Sequence, residues 1–254
     1  MSPHPEPAAS PTALDDLMRR LLRSLAGDKS RFILVRSHDG AASATLIADL
    51  LDRHDRAARV VRFPSVPMPA AYRSPVSSTR PWTVLLASEV PGSIDITARS
   101  MCAATTVLRC APDDAILRSL WLPPSVLEGY SQLPPSPGAV LVLDDWHALV
   151  ADYLGGASAH AVWAPAAHDL DPLLVESFQS LSHAHLIVVT TRSSPTLDYG
   201  ADVVVDVRPR DAEHRVIEVR VARDPSETSP SAPYLFRVRP DGLLETDGGP
   251  GPFR

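Results

Sequence analysis

Only two cysteines, Cys102 and Cys110, occur in 254 residues. They form neither a CxxC pair nor a Cys/His cluster, which argues against a structural zinc site or a disulfide framework. No apolar run approaches the ~20 residues of a membrane span. The first residues, MSPHPEPAASPT, lack the charged-then-apolar order of a secretory signal. A cytoplasmic protein with no membrane partner is therefore expected, the nucleus being open if the source is eukaryotic. There is also no basic excess: 24 Lys+Arg stand against 30 Asp+Glu, giving net charge −6 and pI near 5.8. General polyanion binding by overall charge is thereby disfavoured. Lysine itself is nearly absent, Lys29 standing alone among arginines, so a local arginine patch remains open.

What is present suits one large α/β domain. The chain is 44% apolar and 21% charged, ordinary values for a globular protein, and long enough for a substantial core. Residues 1–12 are rich in Pro, Ala and Ser and are predicted to be a disordered tail. Leu14, Leu17, Met18, Leu21, Leu22 and Leu25 recur at helical spacing, with Asp15 and Asp16 in the first turn and Gly27 as a stop. A strand is predicted over 31–36, a helix over about 41–53, and a strand over 59–63. Residues 64–81, rich in proline and serine, read as a long loop. Strands at 82–87 and 107–110 and helices at 93–104 and 113–120 follow. Gly138–Leu143 and His185–Thr190 are apolar runs of the kind buried on both faces of a parallel sheet. Residues 172–182 between them read as a helix. Runs at 202–207, 215–221 and 234–239 make a β-rich end, closed by the turn Pro240-Asp241-Gly242 and followed by a flexible tail over 247–254. Alternating strands and helices followed by this end predict a mostly parallel central sheet with antiparallel C-terminal strands, in a single domain over 13–246.

In open α/β sheets ligands bind beyond the carboxyl ends of the strands. Four such ends carry polar residues: the loop at 37–45, Ser88-Glu89, Asp144-Asp145, and Thr190-Thr191-Arg192. Strand–RSHDGAASAT–helix occupies the place of a phosphate-binding loop, and LVLDDW that of a metal-binding carboxylate strand.

This order resembles the RecA-type P-loop ATPase superfamily, especially its KaiC-like and DnaB-helicase-like branches. The resemblance implies a three-layer RecA-like fold. Laid on GxxxxGK[ST], the stretch Ser37, His38, Asp39, Gly40, Ser43, Ala44 and Thr45 places His38 and Ser43 at the glycines and Ala44 at the lysine. Only Thr45 fits, at the position that meets Mg²⁺. VLLASEV resembles the strand ending in a water-polarising glutamate, here Glu89. Asp144 or Asp145 takes the metal-side carboxylate, and HLIVVTT resembles the next strand. The stretch from 197 to 245 resembles the antiparallel C-terminal strands of those ATPases.

The departures weigh against catalysis. Without lysine, the charge that binds the β/γ-phosphates and offsets charge developing during phosphoryl transfer is gone. Side chains replace glycines where the loop must approach phosphate closely, and Asp39 adds a negative charge. Arg36 lies on the wrong side of the loop to substitute. The implied function is a catalytically inactive RecA-like subunit, a scaffold or regulator in a hetero- or homo-oligomer, with no cofactor expected and ATP/Mg disfavoured. Elongator accessory subunits and non-catalytic recombinase paralogues are similar in kind, which ties the implied function to RNA modification or to recombination and repair. Two alternatives stay open: an active ATPase using Glu89, Asp144 and Asp145 with a non-standard loop, and a nucleotide-free nucleic-acid module using Arg192, Arg208, Arg210 and Arg220.

Each feature also has a purely structural reading. Asp144-Asp145 can cap a helix, Thr45 can pack or cap, and Trp146 and His147 can face the rim or core. His183 and His185 can mark a helix–strand junction, and the arginine series can be a solvated β surface.

Overall fold

The computed structural model describes residues 13–27, 29–54, 56–62, 69–72, 81–87, 122–134, 137–157, 167–180, 184–211, 213, 216–225, 232–238 and 244–246. Both predicted tails, Glu89, His183, and the elements predicted over 93–104, 107–110 and 113–120 lie outside the described residues.

The elements run α1 (Ala13–Leu25), β1 (Phe32–Ser37), α2 (Gly40–His54), β2 (Ala58–Arg62), a 3-10 turn (Ala70–Tyr72) and β3 (Trp82–Leu86). They continue through α3 (Pro124–Ser131), β4 (Ala139–Asp144), α4 (Trp146–Ala157), α5 (Ala167–Ser180), β5 (Ala184–Thr190) and α6 (Pro195–Gly200). Four strands close the fold: β6 (Val203–Pro209), β7 (Val216–Arg223), β8 (Tyr234–Val238) and β9 (Leu244–Thr246). Among the described residues they form one sheet ordered β3-β2-β4-β5-β1-β6-β7-β8-β9. Pairing is parallel from β3 to β6 and antiparallel from β6 to β9.

Strand alternation divides the core in two. Ile33, Val35, Val140, Val142, Ile187 and Val189 meet α1 and α2 on one face. Phe32, Leu34, Leu141, Leu143, Leu186 and Val188 meet α3 to α6 on the other. The central strands carry apolar residues at nearly every position because both faces are covered. α1 buries Leu17, Met18, Leu21 and Leu25, the stripe read from its helical spacing. It is pinned by Arg20, whose Nε reaches Asp224 Oδ2 at 3.0 Å with both side chains buried.

Three helices escape the sequence pattern. α3 opens on prolines, which suit a first helical turn, but Gly129 interrupts its periodicity. That glycine answers to packing: a Cβ there would run into the Val61 side chain. α4 begins immediately after the β4 carboxylates, and α6 is a six-residue piece. α5 begins five residues before Pro172, so the proline sits inside the helix.

A histidine pair joins the strand beginnings to α1 and α2. His185 is buried, and its Nδ1 accepts the Arg31 N–H at 3.1 Å, which leaves its proton on Nε2, a buried nitrogen that no hydrogen bond engages. The His54 ring meets it edge-on at 6.2 Å, with His54 Nε2 2.8 Å from the Gly138 carbonyl. Burial, then the neighbouring His54, lowers the His185 pKa to about 4. The unfolded chain takes up this proton near pH 6.5, so the contribution to stability is full above about 6.5. It is lost as pH falls toward 4, to the extent of about 2–3 kcal/mol. Denaturant unfolding at pH 7 and pH 4.5 is expected to show this loss in the native chain and a much smaller one in His185→Gln. Equal losses in both would refute the assignment.

Candidate functional site

Strands β4, β5 and β1 are adjacent and parallel, so three of the polar strand ends meet on one rim: residues 37–45, 144–145 and 190–192. The fourth end, Ser88-Glu89, lies outside the described residues; among the described residues β3 is an edge strand, and β2 separates it from β4.

The turn between β1 and α2 consists of His38 and Asp39 alone. Asp39 caps the helix. Its Oδ1 accepts from the Ala41 and Ala42 amides at 3.0 and 2.9 Å, filling with a carboxylate the place where a helix N-terminus favours an anion. Ser37 Oγ donates to the Asp39 carbonyl at 2.7 Å and accepts the Asp39 N–H at 3.1 Å, which fixes the turn. His38 is exposed, and its N–H donates to the Val207 carbonyl. Gly40 is exposed with open space where a Cβ would be, so no close approach requires it. Ser43, Ala44 and Thr45 lie inside α2 and are buried. The Ser43 hydroxyl donates back to the Asp39 carbonyl at 3.1 Å, and that of Thr45 to the Ala41 carbonyl at 3.0 Å. Asp39→Ala removes the cap and its charge at the helix N-terminus. It is expected to cost about 1 kcal/mol in urea unfolding; an unchanged midpoint would deny the carboxylate this role.

Asp144 ends β4 on the face toward α2 and is 2% exposed. Its Oδ2 accepts from Arg62 Nη1 at 2.6 Å, the two residues being direct partners in the β2–β4 register. The Tyr72 ring stacks on the Arg62 guanidinium, 5.6 Å from its carbon to the ring centroid, and is itself buried. Burial pushes the Asp144 carboxyl upward while the Arg62 charge pulls it back. Burial and the adjacent Asp144 charge raise the Tyr72 hydroxyl well above its ordinary range. Arg62 and Asp144 are thus a buried ion pair under an aromatic ring, with burial holding the Asp144 carboxyl above its ordinary range despite the guanidinium.

Asp145 turns to other work. Its Oδ1 accepts the His147 N–H at 3.1 Å, and its Oδ2 accepts from the Thr191 hydroxyl at 3.2 Å. It caps α4 and ties that helix to the end of β5. The Asp144–Asp145 peptide is cis. His147 Nδ1 meets Thr190 Oγ1, which also donates to the Arg192 carbonyl and accepts the Arg192 N–H. Trp146 is fully buried, its indole donating to Asp171 Oδ1 at 2.6 Å.

The arginines divide. Arg36 faces away from the α2 terminus, with Nε 2.6 Å from Asp206 and Nη1 3.4 Å from Asp198. Arg192 is exposed on the rim, whereas Arg208, Arg210 and Arg220 lie on or beside β6 and β7. Among the described residues no group of three or more His, Cys, Asp or Glu is arranged to hold a metal ion.

Arg62 and Tyr72 are the site residues that sequence reasoning missed. Arg62 ends an apolar strand, and only the register places it opposite Asp144. Tyr72 lies within a stretch whose prolines mask any periodic pattern.

No family model and no curated protein matches the chain. A KaiC-like protein from the hyperthermophilic archaeon Pyrococcus horikoshii is similar in structure, with TM-score 0.47 and 9% identity over 85% of this chain and 90% of that one.

Proposed function

We propose that the chain is a RecA-like subunit that works without nucleotide, as a scaffold or regulator in an assembly of protein subunits. The observation that carries this reading is the buried Arg62–Asp144 pair beneath Tyr72. In a P-loop enzyme the carboxylate on the strand equivalent to β4 must stay available to Mg²⁺ and its water. Here a guanidinium 2.6 Å away already satisfies it. The phosphate end is answered in the same way, because Asp39 holds the first free amides of α2. An incoming triphosphate would have to displace a carboxylate from the helix and would find no lysine to meet its charge.

A domain with a filled nucleotide site acts through its surfaces. The partner is therefore protein, and no nucleotide or metal cofactor is required. Among the described residues no helix is long and apolar enough to cross a membrane. The test is sedimentation of the purified full chain, with mass spectrometry of what copurifies. A stable homo- or hetero-oligomer is expected; a strict monomer with no copurifying partner contradicts the reading.

A further inference from the structure

We draw no further inference here: the strongest candidate, the buried His54–His185 side-chain pair at the strand beginnings, carries nothing beyond the acid sensitivity already derived for it, because it rests on a lowered pKa and no third ligating group joins it among the described residues.

Discussion

Replacing Arg62 by alanine is expected to destabilise the chain by about 3–5 kcal/mol, the usual consequence of stranding one member of a buried ion pair. Asp144 is 2% exposed, and its Oδ2 accepts a 2.6 Å hydrogen bond from the guanidinium. Without that partner the carboxylate must either take up a proton or draw in water. The Tyr72 ring loses the cation it covers as well. Removing both charges has a different outcome. Arg62→Met combined with Asp144→Leu leaves no buried charge and is expected to recover most of the loss. Denaturant unfolding of the two single variants and the double completes the cycle, with a coupling of at least ~2 kcal/mol expected between neighbours of this kind. If Arg62→Ala cost less than ~1 kcal/mol, the pair would be open to solvent and the buried-pair account would fail.

The second large effect is at Trp146. The indole is fully buried against the second core, and its Nε1 donates to Asp171 on α5. The other oxygen of Asp171 accepts from Ser194 at 2.5 Å, and Ser194 caps α6 through the Leu197 amide. One side chain thus connects the start of α4, the middle of α5 and the start of α6. Trp146→Ala is expected to cost about 3–5 kcal/mol through the cavity and the lost bond. Trp146→Phe keeps most of the volume and is expected to cost much less. A thermal scan giving both variants the same Tm would contradict this division. Because α4 carries Asp145 and His147 onto the rim, the alanine variant is also expected to loosen the Thr190–Thr191 contacts.

The sheet could be read from sequence because its central strands are fully enclosed. Phe32–Val35, Ala139–Leu143 and Leu186–Val189 are unbroken apolar runs, and their order with the helices between them fixes a parallel arrangement. The antiparallel end was equally visible in the alternation of β7, where Ile217, Val219 and Val221 are buried and the residues between them are more exposed. α3 was hidden by Gly129, which answers to Val61 and Leu141 rather than to helix propensity.

The site was legible only in part. The placement of residues 37–45, Asp144 and Asp145 around one rim followed from strand order. What those residues bind did not, because it depends on register. Thr45 has the residue type of a metal ligand, but its hydroxyl is used within α2. Asp144 has the position of one, but Arg62 reaches it across two strands joined only by tertiary pairing. Asp39 could be recognised as a charge at odds with phosphate; its two hydrogen bonds to α2 amides give that charge a structural function.

Isothermal titration of the full chain with MgATP tests the central claim most directly. With Asp39 on the α2 amides and Arg62 on Asp144, no saturable heat is expected up to millimolar nucleotide. Binding at micromolar affinity that disappears in Asp145→Ala would show a working nucleotide site and contradict the account.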